Sequence, residues 1–173
     1  MSDETEIDES AVPEEGASAQ EADAMTSETL ESPVVEDSTV FRVMNVESVV
    51  FELGDASPQV HLMENEAPYR HLSVPIALAE AQALWGALNR VTGRRPGTHE
   101  LMTAMLRRMQ ADIIAVRVLK VENGVFYATL DLMTPRGREE FDCRTSDGFI
   151  LALRQTVVAP ILCAEEVLAT FYL

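Results

Sequence analysis

The segment from Arg94 to Glu100 (RRPGTHE) places two arginines and a histidine at the start of a predicted helix. Free backbone N–H groups and the positive end of the helix dipole favour anions there, so this segment could bind a phosphate group. The same dipole disfavours the imidazolium form of His99, which leaves a neutral ring as hydrogen-bond acceptor or general base. A purely structural explanation is also open, in which Thr98 caps the helix, the preceding Pro-Gly pair forms a turn and the arginines are solvated.

A second polar cluster runs from Arg144 to Gly148 (RTSDG), again at the start of a predicted helix. Thr145 or Ser146 is a suitable N-cap, and Asp147 in the first turn complements the helix dipole. Capping does not require Arg144, however. The functional alternative therefore places Asp147 and Ser146 in a cleft, with Arg144 holding a phosphate.

Glu80 is a third candidate, a carboxylate near the start of another predicted helix, where the helix dipole alone would also explain it. The sequence contains none of the well-understood local signatures HExxH, GxxxxGK[ST], GxGxxG, CxxC or GxSxG. Any site must therefore be assembled from residues that are distant in the sequence.

The hydrophobic pattern predicts the elements that must position these residues. Partly alternating apolar residues predict strands at 41–53, 59–63, 69–74, 112–121, 125–132, 139–143 and 160–163. Apolar residues spaced by three and four, together with capping residues, predict helices at 77–91, from Thr98 to about 109, from about 145 to 155, and at 164–173. Turns are predicted at 54–58, 122–124 and 135–137. Because strands and helices do not alternate strictly, we expect an α+β fold with a mixed, mostly antiparallel sheet and two to four packed helices.

The first 38 residues carry 13 acidic side chains and no Lys or Arg. This composition predicts a disordered acidic tail at 1–38, followed by one folded domain at 39–173. We expect the tail to be solubilising, and the alternative is that it imitates a polyanion and competes for a basic surface nearby. The remainder has 16 acidic and 13 basic residues, which is near neutral and compatible with a local basic patch that binds nucleic acid.

The sequence shows no apolar run of the roughly 20 residues that cross a bilayer, and no secretory signal. Cys143 and Cys163 have no metal-binding spacing, and we expect two free thiols in or near the core. These features predict a cytoplasmic protein.

Five short motifs occur in a fixed order, and together they resemble the bifunctional nuclease (BFN) domain family. They are Leu72–Ile76 with Glu80-Ala81, Arg95–Leu101, Phe126–Leu130, Arg144–Gly148 and Ala159–Ile161. The family carries LPIxIGxxEA-like, RPxTHDL, FYAxL, RPSDAI and PI motifs in this order and at similar separations. The resemblance covers about residues 41–168. The chain departs from the family pattern where it has Glu100 for Asp, Thr145 for Pro and Gly148 for Ala, and where the glycine before Glu80 is lost.

The resemblance implies an α+β domain that hydrolyses phosphodiester bonds in RNA and DNA with low sequence specificity. Such hydrolysis needs a base or a metal to activate water and cationic groups for the developing charge. The candidates for base or metal ligand are His99 and Asp147, with Glu80 as a second carboxylate. The candidate nucleic-acid contacts are Arg95, Arg144 and Ser146.

Two carboxylates and a histidine could hold Mg²⁺ or Mn²⁺, although the sequence assigns no metal ligands. The expected partners are RNA or DNA and, in a homo-oligomer, a second copy of the chain, with no membrane partner. The alternative function is a non-catalytic oligomeric module that binds or senses a ligand with the same fold. The two hypotheses differ in whether Glu80, His99, Arg144 and Asp147 line one pocket beside a basic surface.

Overall fold

The computed structural model describes residues 39–51 and 57–171 of the chain. The predicted acidic tail at 1–38 and most of the predicted turn at 54–58 lie outside the described residues. Within the described part, no helix is long and apolar enough to cross a membrane.

Strands and helices follow one another largely as the hydrophobic pattern predicts. The strands are β1 (Phe41–Val50), β2 (Gln59–Glu64), β3 (His71–Pro75), β4 (Asp112–Glu122), β5 (Val125–Thr134), β6 (Gly137–Arg144) and β7 (Ile161–Ala164). The helices are α1 (Leu78–Leu88), α2 (Thr98–Arg108), α3 (Thr145–Leu153) and α4 (Glu165–Phe171). The predicted α+β class is confirmed.

One seven-stranded sheet contains all of these strands, in the order β3-β2-β1-β7-β4-β5-β6. Every neighbouring pair is antiparallel except β4 and β7, which run parallel. The β4–β5 hairpin turns at Asn123 and Gly124, whose φ angles of 51° and 79° are in the left-handed region that these two residue types tolerate. The predicted mixed, mostly antiparallel sheet is therefore confirmed.

Helix α3 forms the centre of the core, and all its residues except Asp147 are buried. Its sequence is apolar on every side beyond the first turn, which is the pattern of a helix surrounded by other elements. Gly148 allows α3 to approach the sheet closely, because a Cβ atom at this position would lie 2.7 Å from Cγ1 of Val116 on β4. This close approach gives a physical reason for the glycine that departs from the family pattern.

The cap of α2 differs from the prediction. The N-cap is Gly97 and not Thr98, which is already the first residue of the helix. The backbone N–H of Gly97 donates to a carboxylate oxygen of Glu100 at 2.7 Å. A carboxylate in the first turn thus satisfies the N–H of the N-cap residue, and no threonine hydroxyl caps this helix.

The predicted cap of α3 is also wrong, because Arg144 is the N-cap and neither Thr145 nor Ser146 has that role. The hydroxyl of Thr145 donates instead to the carbonyl of Phe126 on β5, at 3.0 Å. The reason is burial. Helix α3 begins directly where β6 ends, and its first residues bond across to the sheet because they are enclosed by it.

An ion-pair cluster joins the β2–β3 hairpin to the start of α4. Arg70 binds Glu64 at 2.9 Å and Glu165 at 2.7 Å, and Arg42 binds Glu165 at 2.8 Å. Glu64 is 1% exposed, so its charge depends on these partners. Hydrogen bonds from Arg70 and Arg42 lower the pKa of Glu165 to about 2.

Candidate active site

Helices α1 and α2 have the same arrangement of contacts at their N-termini, and an ion pair links each N-terminus to α3. One carboxylate oxygen of Glu80 and one of Glu100 accept the backbone N–H of the N-cap residue of their own helix. The other oxygen of each binds an arginine: Arg144 binds Glu80 at 2.5 Å, and Arg154 binds Glu100 at 2.8 Å. These arginines are the N-cap and the C-cap of α3. The two carboxylates therefore fix both ends of the central helix.

His99 and Asp147 meet across the α2–α3 interface, although 48 positions separate them in the sequence. Nε2 of His99 lies 2.8 Å from Oδ1 of Asp147, and the two side chains are 19% and 26% exposed. Each residue is in the first turn of its helix, so the bond joins two helix N-termini. The structure thus brings together two of the three predicted catalytic residues.

Arg144 binds the same carboxylate and extends the contact to Glu80. Its Nε donates to Oδ2 of Asp147 at 2.8 Å, and its Nη2 donates to Oδ1 at 3.2 Å. With the Nη1 contact to Glu80, three of the five guanidinium N–H groups are used, and two remain for a ligand. The Arg144 side chain is 69% exposed, which makes these two groups accessible.

Asp147 is ionised at neutral pH. Burial raises its pKa, but hydrogen bonds from Arg144 and His99 outweigh burial and hold the pKa below the ordinary value of 3.8. An ionised carboxylate can only accept, so Nε2 of His99 must carry the proton that they share. The other ring nitrogen, Nδ1, is then the acceptor, and the arrangement can supply a general base there.

A groove of about 480 Å³ opens beside these residues. Glu80, His99 and Arg144 line it together with Arg95, one of the predicted phosphate contacts. A second groove of about 760 Å³, lined mainly by apolar side chains, shares His99 and Arg144 with the first and also contains Asp147. His99 and Arg144 therefore lie between a polar groove and an apolar one.

Ser146 lies apart from the polar groove. It is 4% exposed and lines a smaller cavity of about 240 Å³, which shares Glu80 and Arg144 with the polar groove but not His99. Of the three predicted nucleic-acid contacts, the structure thus places Arg95 and Arg144 beside His99 and places Ser146 elsewhere.

The segment 90–108 carries five arginines and a single acidic residue. None of these arginines has an ion-pair partner within the part of the chain that the structure describes. Arg90 and Arg107 hydrogen-bond to residues 155–156, which directly follow the groove-lining Arg154. We use the name arginine rim for Arg90, Arg94, Arg95 and Arg107. The sequence motifs indicate only the central pair, Arg94 and Arg95, and the excess of arginine over this segment is the signal that indicates the other two.

The candidate residues do not fit a metal ion. Among residues 39–51 and 57–171, no group of three or more His, Cys, Asp or Glu side chains converges in a way that could hold one. Arg144 lies between the carboxylates of Asp147 and Glu80 and pairs with both, so its positive charge would repel a cation placed between them. The Mg²⁺ or Mn²⁺ expected from the residue types is therefore not supported by this geometry.

The two cysteines are free, as predicted, with Cys143 half-buried and Cys163 buried. Burial raises the pKa of each thiol to about 12. Because the thiolate is the nucleophile, neither cysteine is a candidate for nucleophilic catalysis at neutral pH.

The fold and the site together define an α+β protein that holds a histidine–aspartate pair beside a cationic groove. Residues 60–172 match the family model described as the bifunctional nuclease domain. This match covers more than half of the chain and includes every candidate residue of the site. The chain belongs to this family, which confirms the resemblance found in the sequence.

The chain is also similar to two uncharacterized proteins of Mycobacterium tuberculosis, one from strain CDC 1551 / Oshkosh and one from strain ATCC 25618 / H37Rv. Each is 34% identical to it over 100 residues, a region that covers 58% of this chain and 58% of the relative. The match thus spans less than two thirds of the length of these relatives.

Proposed function

We propose that the chain is a nuclease that hydrolyses phosphodiester bonds in RNA, DNA or both with low sequence specificity. The observation that carries this proposal is the hydrogen bond from His99 to Asp147, made where His99 and Arg144 line the polar groove. The family supports a nuclease-like function, and the geometry supports particular roles for these three residues.

His99 is the general base in this proposal. Asp147 fixes the ring through Nε2, and Nδ1 takes a proton from an attacking water or, in RNA, from a ribose hydroxyl. The attacking oxygen forms a bond to phosphorus while the bond from phosphorus to the leaving oxygen breaks. The leaving oxygen takes a proton from solvent, and the imidazolium later returns its own proton to solvent.

Arg144 and Arg95 bind the reacting phosphate. Arg144 has two N–H groups left for it, and Arg95 is exposed in the groove with no acidic partner in the described part of the chain. Both arginines stabilise the negative charge that develops on the phosphate oxygens. The arginine rim binds the neighbouring phosphates, and because phosphate contacts carry no base information, low sequence specificity follows.

Glu80 has a positioning role in this proposal and not the catalytic one expected from the sequence. One of its oxygens accepts the N–H of Ala77 and the other binds Arg144, so both oxygens already hold groups of the protein. Glu80 holds the guanidinium of Arg144 in the groove from the side opposite Asp147.

A second candidate function is a non-catalytic module that binds an anionic ligand. The observation that favours it is that arginines already hold the carboxylates of Glu80, Glu100 and Asp147, with Arg144 shared between Glu80 and Asp147. Such a groove would bind a phosphate through the remaining N–H groups of Arg144 without activating a water.

Hydrolysis of single-stranded RNA and DNA by the purified full chain tests the proposal. His99→Ala should lower the rate by about 10²–10⁴-fold, which is the usual contribution of a general base. His71→Ala is the matched control, because His71 lies on β3, outside the groove, and its loss should leave the rate unchanged. EDTA should not abolish the activity, given that the donor set does not fit a metal. Equal hydrolysis rates for His99→Ala and the parent would refute the role of His99 as general base. A parent protein that binds nucleic acid but does not hydrolyse it would support the second candidate function.

A further inference from the structure

The small cavity beside the polar groove contains a hydroxyl group that has no protein partner. Ser146 lines this cavity of about 240 Å³ and is only 4% exposed. Its side chain makes no hydrogen bond within residues 39–51 and 57–171, whereas the hydroxyl of the neighbouring Thr145 donates to the carbonyl of Phe126. Buried polar side chains are hydrogen-bonded in the large majority of cases, because an unpaired one costs free energy. The unpaired hydroxyl therefore indicates that the cavity receives a group that can bond to it.

The rest of the lining combines two charged side chains with apolar walls. The charged residues are Glu80 and Arg144, which also line the polar groove. The walls come from the end of β3, the residue that follows it and the start of β5, and they consist of Val74, Pro75, Ile76, Val125 and Phe126. Pockets that hold a whole drug-sized molecule have volumes of roughly 300–1,000 Å³. A cavity of about 240 Å³ is therefore suited to a smaller group, such as one sugar ring or one base.

Arg144 places this cavity next to the position expected for the reacting phosphate. The side chain lines both the cavity and the polar groove, and two of its N–H groups remain for a ligand. In a nucleic acid, each phosphate is bonded directly to sugars, and the bases are further away from it. A phosphate held by Arg144 therefore places one of its sugars beside the cavity, on the side that His99 does not line.

We propose that the cavity binds the ribose next to the reacting phosphate and makes RNA the preferred nucleic acid, an inference that rests on the proposed function. The hydroxyl of Ser146 can both donate and accept a hydrogen bond, and so can the 2′-hydroxyl by which proteins distinguish RNA from DNA. Glu80 supplies a second acceptor. A carboxylate has about four acceptor positions, and the N–H of Ala77 and the guanidinium of Arg144 fill two of those of Glu80.

The chemistry of the lining favours a sugar over the other two parts of a nucleotide. A phosphate in the cavity would lie against apolar walls and the carboxylate of Glu80, which repels it. A base would be read by the polar groups of Glu80 and Ser146, and sequence specificity would follow. A sugar ring is neutral, its C–H groups suit the apolar walls, and its hydroxyls suit Ser146 and Glu80. It also leaves the bases unread, in agreement with the low sequence specificity of the proposed function.

Deoxyribose can enter the same space, but it leaves the hydroxyl of Ser146 unpaired. A site that hydrogen-bonds a hydroxyl of its substrate discriminates against the analogue that lacks this group, because a buried polar group of the protein then has no partner. For one hydrogen bond, we expect the affinity for RNA to exceed the affinity for DNA by about 3–10-fold. DNA therefore remains a ligand, but a weaker one.

Affinities for matched RNA and DNA oligonucleotides test the proposal. Affinity is a better measure than rate, since faster hydrolysis of RNA could also result from attack by its own 2′-hydroxyl. Fluorescence anisotropy is measured on the full chain with His99→Ala, which should cut the probe about 10²–10⁴-fold more slowly than the parent. The probes are a single-stranded RNA and a uracil-containing DNA of the same sequence, which differ only at the 2′ position. The ratio of the DNA Kd to the RNA Kd should be about 3–10, and adding Ser146→Ala should lower it to about 1.

Thr129→Val in the same His99→Ala background is the matched control. Thr129 also has a buried hydroxyl without a partner in the described part of the chain, but it does not line the cavity. The control should leave the ratio unchanged. Thermal unfolding should show both added substitutions to be harmless to the fold, because neither removes a hydrogen bond of the described structure.

Two outcomes would overturn the proposal. Equal affinities for RNA and DNA before Ser146→Ala is added, or a ratio that this substitution leaves unchanged, would leave the cavity to water. An effect of Ser146→Ala that varies with the base sequence and is the same for RNA and DNA would assign the cavity to a base. The affinities do not depend on hydrolysis. A parent chain that prefers RNA through Ser146 but cuts neither probe would therefore refute only the nuclease, and one that cuts both probes with no effect of Ser146→Ala on the ratio would refute only the ribose site.

Discussion

Replacing Asp147 with asparagine separates a catalytic role of this residue from a structural one. The change keeps the size of the side chain and one carbonyl oxygen but removes the negative charge. Three N–H groups converge on the carboxylate, one from His99 and two from Arg144. The asparagine oxygen can still accept from His99, but its NH₂ group would face Arg144, which can only donate. The substitution therefore removes the contact from Nε of Arg144 to Oδ2, while the oxygen that faces His99 and Nη2 of Arg144 is kept.

We expect a small loss of stability and a large loss of rate. Arg144 is 69% exposed, so its ion pair with Asp147 contributes on the order of 1 kcal/mol or less. Loss of the negative charge from the first turn of α3 adds about 0.3–1 kcal/mol. The free energy of unfolding should therefore fall by about 1–2 kcal/mol. The hydrolysis rate should fall by about 10²–10⁴-fold, because the negative charge beside the general base His99 is lost.

Urea unfolding and initial rates on single-stranded RNA, measured on the same preparation, give both quantities. Asp112→Asn is the matched control, since Asp112 is an exposed aspartate at the start of β4, outside both grooves. It should change neither quantity. A variant Asp147→Asn as active as the parent would refute the role of the pair in catalysis. A loss of stability above about 4 kcal/mol would show that the residue is mainly structural.

Three further outcomes follow from the described contacts. Replacing Arg94 and Arg95 with glutamine should make the binding of single-stranded nucleic acid less sensitive to salt. In fluorescence anisotropy, the slope of log K against log salt concentration should become smaller in magnitude by about 1.4, which is about 0.7 for each lost phosphate contact. An unchanged slope would show that the two arginines do not contact the nucleic acid. Gly148→Ala should destabilise the fold by about 1–3 kcal/mol in thermal unfolding, and the cost should be smaller in a Val116→Ala background, because the new methyl group collides with that valine. Glu165, whose pKa is lowered to about 2 from an ordinary 4.5, contributes stability that is present above pH 4.5 and is lost as the pH falls toward 2. Glu165→Gln should therefore weaken the acid dependence of unfolding in that range, and an unaltered acid titration would contradict the assigned ion pairs.

The type and order of the elements were predictable from the sequence because the signals are local. Alternation of apolar residues over 112–121 and the turn at 122–124 predict the β4–β5 hairpin, and the structure contains it. Apolar residues at intervals of three and four predict α1 in the same way. The order of the five motifs could also be read directly from the sequence. It indicated the family that the match of residues 60–172 to the family model confirms.

The sequence by itself determined that His99 and Asp147 each begin a helix, since Gly, Pro, Ser and Thr mark helix starts through local backbone chemistry. Only the tertiary structure decided what their side chains bind. Because α3 is buried, Thr145 bonds to β5 and does not cap its helix, and Arg144 becomes the link between Asp147 and Glu80. The contact between His99 and Asp147 spans 48 positions and results from the packing of α2 against α3. Local patterns carry no information about such a contact, because its geometry depends on how the whole core is filled.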